Sequence, residues 1–351
     1  MDKDSQHLVT HPSINEYWLG LVAEPALEPD LPIVDPHHHL WDRESGYFAQ
    51  QLLKDLAQGH RVVATVHVQC HHGYFENGPL EMRPVGETQF AVAMAHEAEK
   101  LGARTRVCSG IVGFADLQLG DKVQDVLQAH ISEGQGLFRG IRRLNAQDDS
   151  FRTHLPSLPA GLLADTSFRR GFAQLAPLGL SFDAWMFHPQ LDELIELADA
   201  FPQTSIILDH VGTPLGVGRY RGKEDEVFRH WSANIERLSQ RPHVTVKLGG
   251  LGMAFTGFEF HKRDLPPTSE VLANAWRPYI ERCIEAFGAD RCMFESNFPV
   301  DKASSSYGVL WNAFKRLSAG ASASEKKALF AGTAARVYRF DVPELGDGKN
   351  L

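Results

Sequence analysis

The chain has 351 residues, 44 acidic against 35 basic, for a formal net charge of −9. That length can bury a full core, and 43% hydrophobic with 23% charged residues is a globular profile rather than a disordered one. The acidic balance argues against nucleic-acid binding, and the four cysteines are too few for a disulfide scaffold and form no CxxC zinc motif.

No apolar run reaches the roughly 18 residues of a membrane helix, and the first residues lack the apolar stretch of a signal peptide. A soluble, cytoplasmic protein without membrane or nucleic-acid partners is expected. Residues 1–30, punctuated by Pro12, Pro25 and Pro29, read as an irregular arm. From there apolar, β-branched runs alternate with helical stretches. Strands are expected at Leu31–Pro36, Arg61–Gln69, Arg106–Phe114, Leu137–Arg143, Leu180–Phe187, Thr204–Asp209, His243–Gly249 and Arg291–Ser296. Helices are expected at Thr88–Leu101, Asp121–Ser132, Ser167–Ala176, Gln190–Ala200, Glu224–Gln240 and Ser269–Phe287. Two more follow the last strand, Tyr307–Ala319 and Ser324–Tyr338, the second capped by Ser324 with Glu325. Strands alternating with helices imply a parallel sheet, and at this length a (β/α)8 TIM barrel over 31–340, followed by a tail at 341–351, is the natural closure. No GxGxxG follows a strand to favour an open doubly wound sheet. Long excursions at His71–Gly86, Leu144–Asp165 and Thr213–Gly222 are candidate covers for a site.

The chemistry concentrates at strand ends. In DPHHHLWD, alternation puts His37 and His39 on one face and His38 on the other. Two imidazoles at the carboxyl end of a barrel strand suit a divalent metal or an oxyanion. His210, in IILDHVG at the end of the sixth strand, completes a plausible metal or substrate cluster, with Zn²⁺ or another single divalent metal, or no metal, as the options. On the last strand Glu295 and Asn297 share a face, and Asp301 follows in the loop. A carboxylate there can activate water, which Asn297 cannot do. Thr65, His67 and Gln69 share one face of the second strand, with Gln69 and His71 expected near the mouth. Lys247 within VTVKLGG must meet either an internal carboxylate or a substrate anion. Arg142, Arg143, Arg83 and Lys247 suggest a small anionic substrate. Trp41, Phe114, Trp185 and Phe298 serve as a pocket wall or plain core.

DPHHHLWD, DHVG, VKLGG and SNFPVD, in that order, resemble the amidohydrolase superfamily, in particular its lactonase-like group. That group includes 2-pyrone-4,6-dicarboxylate lactonase, sugar-acid lactonases and sulfomuconolactone hydrolase. The resemblance implies a (β/α)8 barrel that opens cyclic esters, with His37, His39 and His210 as its active-site histidines and Arg142 holding a substrate carboxylate. Two departures stand out. Asn297 replaces the aspartate that activates water in the family's SDWP, and the lysine or glutamate that bridges two metals in dinuclear relatives has no counterpart. One metal or none is therefore expected. Asp301, Glu295, Asp209 or a histidine are the groups left to activate water. The leading expectation is a hydrolase of a small lactone, with Gln69, His71, Arg142 and Lys247 binding substrate. A metal-dependent decarboxylase of a small aromatic or unsaturated acid, and a non-catalytic ligand-binding barrel, are the alternatives. A homo-oligomer is compatible with the arm.

Overall fold

The structure is a computed structural model and describes residues 8–43, 46–153 and 158–345. Eight parallel strands run in sequential order: β1 Ile33–His38, β2 Val62–Val68, β3 Arg106–Gly113, β4 Phe138–Leu144, β5 Ser181–Trp185, β6 Ile206–Leu208, β7 Val244–Leu248 and β8 Cys292–Phe294. The ends of β1 and β8 meet through a parallel bridge between His38 and Phe298 and through the Asn297 amide on the His37 carbonyl at 2.9 Å, so the sheet curls into a (β/α)8 barrel. All eight strands lie where the apolar runs place them.

Alternation sorts the strand residues into two environments. Ile206 and Leu208, Val244 and Val246, and Cys292 and Phe294 face outward into the layer shared with the helices. Ile207 and Met293 face inward, joining Val34, Ala64, Val66, Val68 and Val112. The next inward positions after this apolar plug are Asp209, Lys247 and Glu295, all fully buried. The C-terminal segment closes the opposite end: Ala331, Ala334, Val337 and Tyr338 pack onto the interior plug. Around the mouth a separate apolar cluster, including Leu144, Phe151, Trp185, Leu215, Met253 and Phe255, is supplied by β4, β5 and the long loops.

Three local expectations change. A helix at Ala49–Leu56 follows β1, where none was expected; its short amphipathic pattern follows directly on the aromatic Tyr47–Phe48 pair. The last helical region begins at Ser322, not Ser324: the Ser322 hydroxyl accepts the Glu325 amide and Glu325 reaches back to the Ser322 amide. That region then passes through a π-helical turn at Ala328–Gly332 before Thr333–Val337. The tail expected at 341–351 is described only to Leu345. The four cysteines are free and buried. No helix of the described residues is long and apolar enough to cross a membrane.

Candidate active site at the carboxyl ends of the strands

The strand ends bring His37, His39, His210, Glu295 and Asn297 together, although the sequence scatters them across the chain. His37 and His39 rings stand edge-on with centroids 4.9 Å apart, and the His37 and His210 rings are 4.5 Å apart. His38 turns outward, as alternation requires, to the Thr65 hydroxyl at 2.9 Å.

Hydrogen-bond partners fix two of the three ring tautomers. His39 Nδ1 lies 2.7 Å from the Val68 carbonyl, and a carbonyl only accepts, so Nδ1 carries the proton. His210 Nδ1 lies 2.7 Å from Glu295 Oε1, with the same consequence. Both rings line the cavity, and their Nε2 atoms are left unprotonated. His37 has contacts on both nitrogens. Its Nδ1 meets Lys247 Nζ at 3.2 Å and Glu295 Oε2 at 2.8 Å, while its Nε2 meets His39 Nε2 at 3.3 Å and Arg142 at 3.4 Å. Burial, with the Lys247 and Arg142 cations nearby, holds His37 and His39 well below the ordinary imidazole range, so both are neutral at pH 7. Burial pushes Glu295 up, but the His210 and His37 rings outweigh it and bring the carboxyl down to about 2. Glu295 is therefore an ionised group whose two oxygens face two histidines.

The backbone here is built for close approach. His210, Val211, Asn297 and His71 all adopt left-handed φ, between +48° and +64°. The two glycines of VKLGG have a steric reason. A Cβ on Gly249 would come within 2.4 Å of Glu295, and one on Gly250, at φ +67°, within 2.5 Å of the His210 ring. Gly250→Ala is expected to push His210 off Glu295 and lower turnover at least tenfold. Gly222→Ala is the control, because its φ is +73° but nothing lies within 4 Å of the added methyl. That substitution should cost only about 1 kcal/mol of stability. Thermal melts beside steady-state rates distinguish the two.

Arg142 is buried, lines the cavity, donates to the Gln69 carbonyl and lies 5.8 Å from the Trp185 ring centre. His71 also lines the cavity. Asn297 lines it too, with its amide nitrogen on Asp301 Oδ1 at 2.9 Å, which leaves the amide oxygen for a ligand. Asp301 lies behind Asn297, takes the Gly252 amide at 3.0 Å, and is raised by burial to about 7.

Two expected substrate contacts fall elsewhere. Gln69 does not line the cavity: Ala64, Val66 and Val68 take the inward face of β2, so Thr65 and His67 point to the outer layer, toward His38 and Glu87. Only the Gln69 carbonyl serves the site, by anchoring Arg142. Lys247 is absent from the cavity wall as well. It sits inside the barrel, with Nζ 2.6 Å from Asp183 and 3.0 Å from Asp209, and Asp183 also accepts the Tyr338 hydroxyl at 2.6 Å. The internal carboxylate pair is thus the partner of Lys247. Arg83 and Arg143 do not reach the cavity wall either; Arg143 lies over the Phe114 ring. Sequence reading missed Thr10, His11 and Arg43, which do line it. A proline-broken arm carries no periodicity that would flag them.

The cavity measures about 380 Å³ and suits one small molecule. Its floor is polar, with His39, His210, Arg142 and Asn297, and its walls are apolar, with Trp41, Leu144, Trp185, Met253 and Phe255. The donors fit a single divalent cation. The Nε2 atoms of His39 and His210 are unprotonated, and Glu295 can hold the His37 proton on Nδ1 and free a third Nε2. His37, Asp209 and His210 each offer a ligand atom within 4.8 Å of the others.

Comparison with known proteins agrees with this architecture. The amidohydrolase family Amidohydro_2 matches residues 34–340. The uncharacterized protein y4mH of Sinorhizobium fredii is 36% identical over 88% of this chain and 99% of its own length. An L-fucono-1,5-lactonase of Burkholderia multivorans is 26% identical over 90% of this chain and 98% of its own. Among solved structures, an amidohydrolase of Burkholderia multivorans with bound zinc superposes with a TM-score of 0.67 at 24% identity, over 88% of this chain and 99% of that one. A putative 2-pyrone-4,6-dicarboxylic acid hydrolase of Pseudomonas putida gives 0.61 at 20%, over 89% and 99%. The barrel, the histidine-bearing strand ends and the match over residues 34–340 together make this chain a member of the amidohydrolase family.

Proposed function

We propose that the chain is a hydrolase that opens a small anionic lactone or related cyclic ester. The observation that carries this reading is one cavity floor holding unprotonated imidazole nitrogens, one of them oriented by an ionised carboxylate, beside a buried arginine with no acidic partner among the described residues. The lactonase-named relatives support the reaction class.

Arg142 holds the substrate carboxylate, for which its planar guanidinium is suited. Asn297, held by Asp301, presents its amide oxygen to one hydrogen of a water molecule. With His210 free of metal, its Nε2 takes the other proton while Glu295 stabilises the resulting imidazolium. The water oxygen adds to the carbonyl carbon, the ring C–O bond breaks, and the proton returns to the departing alkoxide. When bound by His37, His39 and His210, a divalent cation such as Zn²⁺ would supply Lewis-acid polarisation of that carbonyl. We assign these reactions to the cytoplasm.

A panel of γ- and δ-lactones, assayed with and without chelator beside metal analysis of the purified protein, tests the proposal. Ring opening that survives the chelator assigns His210 to proton transfer. Activity lost to the chelator and restored by Zn²⁺, with about one ion per chain removed by His37→Ala, assigns the trio to the cation. Decarboxylation of an aromatic acid with no lactone opened would replace the hydrolase reading.

A further inference from the structure

We infer that the N-terminal arm builds a second anion subsite at the rim of the cavity, centred on Arg43, so that the ligand of this chain is a small dianion. The proposal rests on the cavity being the substrate site and not on the reaction performed there.

The arm crosses the mouth. The Leu8 amide donates to the Arg152 carbonyl at 2.8 Å, Thr10 is 3% exposed, and Thr10 and His11 form part of the cavity wall. The Thr10 hydroxyl and His11 Nδ1 are 2.9 Å apart, and Arg43 reaches His11 Nε2 at 3.3 Å. An imidazole carries no negative charge, so this contact holds Arg43 without neutralising it. Below, Arg43 lies 4.7 Å from the Trp41 ring centre, and that ring stacks on His39.

Two features tie Arg43, an exposed side chain at the rim, to the cavity. Arg43 donates to the Cys70 carbonyl at 3.1 Å, and Arg142 donates to the neighbouring carbonyl of Gln69. Consecutive carbonyls thus hold both guanidinium groups at the wall of one cavity. Neither arginine has an ion-pair partner among the described residues, and the nearby Asp42 pairs with His72 at 3.2 Å. Two planar guanidinium groups without an acidic partner among the described residues favour a ligand with two negative charges. The arm residues that meet Arg43 lie before residue 34, where the family match begins, while Arg43 itself lies within it.

Succinate and butyrate, equal in carbon number but differing by one carboxylate, serve as probes by calorimetric titration of the full chain. Wild type is expected to bind succinate at least tenfold tighter than butyrate. Arg43→Gln should erase that preference and leave butyrate binding unchanged. His11→Ala, which frees Arg43 from the arm, should weaken succinate at least threefold with no change in butyrate. Equal affinity for the two acids in wild type, no succinate binding at millimolar concentration, or a preference that survives Arg43→Gln would each overturn the subsite. Failure to open any lactone would instead strike the reaction and leave the binding result standing.

Discussion

His210→Ala is expected to lower kcat/KM about 10²- to 10⁴-fold, the usual range for removing a positioned acid–base group. The loss follows whether His210 moves the proton or holds a cation, because its Nε2 is the atom used in both cases. Glu295→Gln separates orientation from charge. The amide oxygen can still accept the His210 amide and Nδ1, now at 3.0 and 2.7 Å, so the ring keeps its place. The negative charge that stabilises a protonated His210 is gone, and about a hundredfold loss in kcat with little change in KM should follow. Steady-state kinetics on the best lactone of the panel, with melting curves to exclude unfolding, is the measurement. A His210→Ala protein within threefold of wild type would remove His210 from the chemistry.

The second large effect is on stability. Lys247→Met leaves Asp183 and Asp209 fully buried without their cation, and breaking a buried pair from one side costs about 3–5 kcal/mol. The cost should depend on pH in a defined direction. Burial raises Asp183 from 3.8 to about 6 even against the pull of Lys247. A carboxyl whose folded pKa is raised favours the folded state while it is protonated and loses that contribution as pH rises through the window between 3.8 and 6. Without Lys247 the folded value climbs further, so the variant should be closest to wild type near pH 5 and weakest near pH 8. Denaturant midpoints at the two pH values test this. Adding Asp183→Asn and Asp209→Asn to Lys247→Met should recover part of the loss, since no buried charge is then stranded.

Both effects come from groups whose place in the chain was plain and whose company was not. Strand order and position were legible because each strand is a short apolar, β-branched run, and the parallel barrel follows from strands alternating with helices. His37, His39 and His210 were legible because period-two alternation and strand-end position are local properties of the sequence. Alternation alone misled at β2. It grouped Thr65, His67 and Gln69 on one face but could not say which face looks inward. The pairing Val66↔Gly110 and the inward plug of valines decide that, and they depend on neighbouring strands. The Ala49–Leu56 helix was missed for a related reason: its amphipathic stripe is short, and its burial comes from the partners it packs against.

The sequence by itself determined the family, the barrel and the trio of histidines, because those are written in local periodicity and in motifs a few residues long. Tertiary structure alone decided which carboxylate serves which cation. Glu295 faces two histidines, Lys247 is spent on Asp183 and Asp209, and Asp301 stands behind Asn297. Electrostatic partnership acts over a few ångströms in space, and barrel closure sets those distances between residues far apart in the chain. The same holds for the arm. Nothing local in residues 8–14 announces a cavity wall, and only its path across the mouth brings His11 to Arg43.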